Sequence, residues 1–212
     1  GYTPPRGWRV WAGLVYPGVS LPNAMVQLTP VTEYGTGAGY EYEDEVIQGF
    51  AHTAMGHWNL LNVPVLPFSG ELRSEGYASR FSHDNETARA GYYRVLLEDY
   101  QVDASLTATL RAGYHRYEYG NARNRNILFD LGKANNRISD WRIEQVGDSV
   151  VQGFQRAGGE TVHFYALLNE RIEQLEVQQE GEREGRAVVH LQDGDSQPVE
   201  MKMGLSFVST EN

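Results

Sequence analysis

The chain has 212 residues, 41% of them hydrophobic and 22% charged, the composition of a globular domain large enough to bury its own core. A formal net charge of −10 argues against nucleic-acid and anionic-membrane partners and is compatible with a neutral substrate such as a glycan. No cysteine is present, which excludes a disulfide scaffold and thiolate metal sites, and no apolar run is long enough to span a membrane as a helix.

Helical periodicity is scarce and period-2 alternation is common. The expectation is one all-β domain over residues 1–212, a large antiparallel β-sandwich with a loop-rich amino-terminal segment. Gly1 stands where an initiator methionine would, with no signal-like segment after it, so a processed or trimmed amino terminus is expected. Through the first 75 residues, Pro4-Pro5, Pro17-Gly18, Leu21-Pro22, Thr29-Pro30, Val63-Pro64 and Leu66-Pro67 break any long ladder, because proline donates no hydrogen bond. Loops of this kind, carried on a rigid sandwich, are where binding residues usually sit. Met25 to Leu28 is the first strand candidate.

Glu41, Glu43, Asp44 and Glu45 then form an acidic cluster. Carboxylate oxygens suit calcium, but the spacing matches no EF-hand loop, and a solvated turn is the favoured reading. His52 and His57 follow, too weakly patterned for zinc, with Gly49 and Gly56 opposing a helix. His52, His57, Trp58 and Asn59 together offer an aromatic face for sugar C–H surface and donors for hydroxyls. The alternative stays open that Trp58 is core and the histidines cap turns.

Downstream, the clearest strand runs Ala104 to Arg111, with Ala104, Leu106, Ala108 and Leu110 on one face. Val199 to Phe207 is the second, apolar at every odd position. Between them lie candidates at Tyr114 to Tyr119, Ile127 to Leu131, Trp141 to Val146, Val150 to Phe154, Val162 to Leu168, Leu175 to Val177 and Ala187 to Leu191, with Tyr93 to Leu97 before them. Val146-Gly147-Asp148, Ala157-Gly158-Gly159, Glu180-Gly181-Glu182 and Asp193-Gly194-Asp195 read as turns, the last as a hairpin. The alternating tyrosines of Tyr114 to Tyr119 could form a sugar platform, though cross-strand packing is the favoured reading. No carboxylate pair stands out for glycoside hydrolysis, and there is no nucleophile elbow, phosphate loop or dinucleotide fingerprint.

Several blocks resemble the amino-terminal domain of glycoside hydrolase family 92: Pro17 to Pro30, Gly39-Tyr40 to His52-Thr53, Tyr77 to Tyr93 with Phe81-Ser82-His83, Glu86 and Gly91-Tyr92-Tyr93, Asp103 to Tyr117, and Gly204 to Asn212. The order of the blocks is as informative as their content. The resemblance implies a supersandwich and an (α/α)6 catalytic domain beyond residue 212. It implies an inverting, calcium-dependent exo-α-mannosidase acting on α-linked mannosides of glycans, as in N-glycan processing. Catalytic residues and calcium ligands would lie in the second domain, none in this chain. The loop His52-Thr53-Ala54-Met55-Gly56 departs from the family's usual His-Thr-His-Leu-Ser-Gly. The substrate-side candidates are therefore His52, His57, Trp58 and Asn59, with Tyr16 and Gly18 weaker. The expected location is secreted or periplasmic. The rival readings are a non-catalytic carbohydrate-binding module and a purely structural one.

Overall fold

The computed structural model describes residues 17–19, 24–53, 60–73, 76–194 and 198–208. In chain order its strands are β1 (Thr29–Val31), β2 (Val46–Ile47), β3 (Gly49–Ala51), β4 (Val65–Ser69), β5 (Ser79–Arg80), β6 (Glu86–Arg89), β7 (Tyr92–Leu97), β8 (Val102–Ala108), β9 (Ala112–Tyr119), β10 (Arg125–Phe129), β11 (Ile138–Gly147), β12 (Val150–Ala157), β13 (Glu160–Leu168), β14 (Ile172–Glu180), β15 (Glu184–Leu191) and β16 (Val199–Ser206). A single 3-10 turn, His83–Asn85, is the only helical element among the described residues. Six strands form one sheet in the order β1-β3-β4-β10-β15-β14, and eight form another in the order β11-β12-β13-β16-β9-β8-β7-β6. A short β2-β5 pair lies apart, and the pairings are antiparallel throughout.

Alternation drives this layering. In β8 the buried side chains are Val102, Ala104 and Leu106, and in β16 they are Val199, Met201, Met203 and Leu205. Each such set turns to one face, and the two inner faces bury one another. Phe129 of β10 stacks on Phe164 of β13 at 5.9 Å, and Phe50 of β3 meets Tyr93 of β7 edge-on at 6.4 Å. These contacts cross the gap between the sheets and define the core. Most of its apolar residues form one connected cluster from Val19 to Leu205, and Val31, Ala51 and Leu61 form a small second one.

Three local expectations change. The strand anticipated to Arg111 stops at Ala108, because Thr109 N–H donates to Ala112 O at 2.8 Å and closes a tight reversal. Leu110 therefore sits on the turn, 55% exposed, rather than in the core. Met25 to Leu28 forms no strand; Leu28 makes only an isolated bridge with Val19. The stretch after Asp193 is no hairpin, since it carries the chain from β15 in one sheet to β16 in the other. The glycine turns between β12 and β13 and between β14 and β15 are hairpins, with Gly158, Gly159 and Gly181 at positive φ.

Candidate functional site

One end of the sandwich gathers the segments singled out by sequence. Val19 bridges Leu28, Gln27 N–H donates to His52 O at 2.9 Å, and Met25 N–H donates to Leu110 O at 2.9 Å. On the other side, Asn135 N–H donates to Leu60 O at 3.0 Å, and its carboxamide accepts from Gly35 N–H at 2.7 Å. Gly18 is half-buried in this group, beside Val19. Tyr16, His57, Trp58 and Asn59 lie outside the described residues.

The described residues flanking 54–59 rest on a buried polar network. His52 follows β3 and is completely buried, so its ring does not face solvent. Its Nδ1 lies 2.7 Å from Val63 O, and its Nε2 lies 2.8 Å from His115 Nε2. A carbonyl can only accept, so His52 holds its proton on Nδ1 and offers a lone pair at Nε2. His115 must then donate from Nε2, which leaves its Nδ1 to accept from the Tyr117 hydroxyl 2.8 Å away. Each proton in the chain has one place, and both imidazoles are neutral. Burial holds His52 down to about 4, against the opposing pull of its bond to Val63. Burial, then the neighbouring His52, holds His115 well below the usual histidine range.

The same segment bends unusually. Leu61 and Val63 have φ of 54° and 50°, the left-handed region that bulky residues, and β-branched ones such as Val63 above all, avoid. What holds them there is specific bonding. Thr53 Oγ1 donates to Asn62 Oδ1 at 2.8 Å and accepts from Asn62 N–H at 3.0 Å. Gln155 of β12 accepts from Asn62 Nδ2 and from Val63 N–H through one oxygen, at 3.1 and 2.9 Å. Its amide nitrogen donates to Leu131 O and Lys133 O, both at 2.9 Å. His52–His115 and Gln155 thus join segments of the smaller sheet to the larger one.

A second hub sits under the 32–45 segment. Glu86 accepts from Tyr40 at 3.0 Å, from Tyr93 at 2.7 Å and from His83 Nδ1 at 2.6 Å. His83 Nε2 points at Tyr42 O, 2.8 Å away, and Tyr42 stacks on the ring at 4.0 Å. Both nitrogens of His83 thus face oxygen acceptors, one a carboxylate and one a carbonyl. Burial, then the charge of Glu86, raises the Tyr40 and Tyr93 phenols. The acidic cluster beside it is a turn, closed by Asp44 N–H to Glu41 O at 3.2 Å. Among the described residues no group of three His, Asp or Glu is placed to hold a metal ion.

Sequence reasoning did not find His115, Gln155 or Glu86 as hubs. A signal existed: His115 and Gln155 occupy inward positions of β9 and β12, where alternation demands an apolar side chain. In the Tyr114 to Tyr119 run, Tyr117 packs inside, as does most of Tyr119, while Tyr114 faces outward.

Residues 6–206 match the family model described as glycosyl hydrolase family 92 N-terminal domain. Among solved structures, the chain is similar to a family GH92 α-mannosidase from Bacteroides thetaiotaomicron at 27% identity, with a TM-score of 0.86, covering 94% of this chain and 32% of that one. The structure of that enzyme in complex with mannoimidazole matches at 27% identity and a TM-score of 0.85, covering 94% and 31%. A family GH92 inverting mannosidase from the same organism shares the fold at 21% identity, with a TM-score of 0.79 and coverage of 94% and 29%. No match was found among curated proteins. The chain spans about a third of the length of the solved structures it matches.

Proposed function

We infer the function from one premise: the chain belongs to the glycosyl hydrolase family 92 N-terminal domains. Its role is to form one wall of the substrate pocket of a longer, inverting exo-α-mannosidase that hydrolyses α-linked mannosides. The general acid, the general base and the calcium ligands of that reaction belong to an (α/α)6 catalytic domain of the same polypeptide. Calcium, where bound, would orient substrate hydroxyls and neutralise charge there. The described residues of this domain offer no ligand group for it.

The supporting observation is the over-determined backbone of residues 60–63, which follow 54–59 in the chain. Strained backbone at Leu61 and Val63 persists only where surrounding bonds enforce it, and such strain gathers at ligand clamps. A structural loop would not require two buried β-sheet side chains, His115 and Gln155, to be given up to polar duty. In this reading His57, Trp58 and Asn59 meet the sugar, with Tyr16 and Gly18 at the rim. His52 acts from behind as a positioning residue.

The test is hydrolysis of α-1,2-mannobiose by the full-length protein and its Trp58→Ala variant. The expected outcome is an unchanged melting temperature with kcat/KM lower by about tenfold or more, the loss of one aromatic contact to the transition state. Unchanged kcat/KM would refute the pocket role.

A further inference from the structure

We propose a second carbohydrate site on the outer face of the eight-stranded sheet, for a short neutral oligosaccharide laid across β8, β9, β16 and β13. A depression of about 430 Å³ lies there, within the size range of small-molecule sites. Its floor departs from the polar pattern expected of a solvated sheet face. Register places Leu167, Lys202 and Tyr114 side by side on three adjacent strands. Tyr114 is 38% exposed and Leu167 is 44% exposed, so apolar and aromatic surface faces water at the centre of a sheet rather than at its edge.

The walls supply the other half of a sugar site. Ser105 and Thr107 line the depression from β8, and Arg116 and Glu200 line it from β9 and β16. Arg116 stands 3.7 Å from Glu200 and 3.5 Å from Glu118 with all three side chains more than half exposed, so these pairs can yield to hydroxyls. The exposed Lys202 holds its ammonium over the Tyr114 ring, 5.6 Å from the centroid, a looser cover than Arg89 gives Tyr92, and must swing aside for a sugar to stack, becoming a donor at its edge. Tyr92 serves as wall rather than platform, because the Arg89 guanidinium covers its ring at 4.6 Å and its hydroxyl lies 3.2 Å from Ser105 Oγ.

This composition fits a polyhydroxylated ligand better than a protein partner. Hydroxyls, one ion pair and one amine surround a narrow apolar strip, whereas a protein interface centre is depleted in charge. The site lies apart from the loop end and does not depend on it; family membership enters only in the choice of a mannoside as probe.

The experiment is backbone amide NMR of the 212-residue chain titrated with α-1,2-mannobiose, on the wild type and on Tyr114→Ala and Lys202→Met. Both substitutions fall on exposed side chains, and the dispersion of the remaining amide signals reports whether the fold is kept. The expected result is saturable, millimolar shifts at residues 105–107, 114–116 and 200–202, weakened about tenfold in Tyr114→Ala. Four outcomes overturn the proposal: no shift, shifts confined to residues 24–28 and 60–63, undiminished binding by a folded Tyr114→Ala, or broadening of this face with protein concentration and without sugar. The last would make it a protein interface. The second would leave the pocket reading standing while this one falls.

Discussion

Acidification should break the His52–His115 bond as pH falls through the His52 window. His52 titrates near 6.5 in an unfolded chain and at about 4 in the fold, so across that window the unfolded state binds more protons. The stabilisation is complete above pH 6.5 and is lost progressively as pH falls to about 4. The gap of about two and a half pH units is worth roughly 3 kcal/mol, a large share of the 5–15 kcal/mol typical of a domain. The structural reason is geometric: His52 Nε2 cannot take a proton while His115 donates to it, so the first proton breaks the bond between the sheets. No carboxylate is bonded to either ring to offset the new charge. Burial raises the Asp130 carboxyl above its ordinary range, an effect of opposite sign as pH falls, while that of Asp99 lies lower. Asp99, held down to about 2 by its bond to Arg80 against the cost of burial, loses its contribution only between about pH 3.8 and 2. The assay is urea unfolding at closely spaced pH values, with ring-proton NMR to follow His52 itself. A stability curve flat from pH 6.5 to 4.5, or His52 titrating near 6.5, would refute the reasoning.

Other substitutions test the same architecture. Tyr117→Phe removes the hydroxyl bonded to His115 Nδ1 and leaves a buried acceptor unpaired, so urea unfolding should show a loss of about 1–3 kcal/mol. Glu86→Leu deprives two buried phenols and the His83 ring of their acceptor, and a calorimetric melt should fall by several degrees, more than for any exposed carboxylate such as Glu118. Gly185→Ala places a methyl 2.3 Å from Gln178 O and 2.6 Å from the Trp141 ring, at a φ of 140°, and should destabilise by about 2 kcal/mol or more in chemical unfolding.

The strands were legible because their burial is one-sided. Alternation in Val199 to Phe207 places four apolar side chains on one face, and β16 buries Val199, Met201, Met203 and Leu205. Where both faces are covered the pattern fades. Every residue of β10, Arg125–Phe129, is buried, and its bounds had to shift by two residues from the apolar run Ile127 to Leu131. Arg125 is paired with Glu170 and donates to Gln192 O at 2.8 Å, a buried cation that no local pattern announces. The candidate site was legible by place but not by role. Gly18 and His52 do converge on one loop end, yet His52 turned inward, because its partner lies 63 residues away and no spacing encodes that distance.

The blocks that carry the family resemblance acquire a common physical meaning in the fold. The second block contributes Tyr40 and His52, the third His83, Glu86 and Tyr93, and the fourth His115 and Tyr117. Tyr40 donates to Glu86 and His52 bonds His115, so hydrogen bonds join the second block to the third and to the fourth. An apolar core tolerates exchange of one aliphatic side chain for another, and so specifies its residues weakly. A buried donor matched to a buried acceptor does not, since losing either leaves the other unpaired. Residue identity is therefore tightly constrained where the sheets are bolted together by polar groups, and loosely elsewhere. It follows that the same bolts fix the geometry of the loop end: His52 bonds Val63, Gln155 bonds Asn62 and Val63, and these are the residues that hold the chain in a strained turn just after residues 54–59.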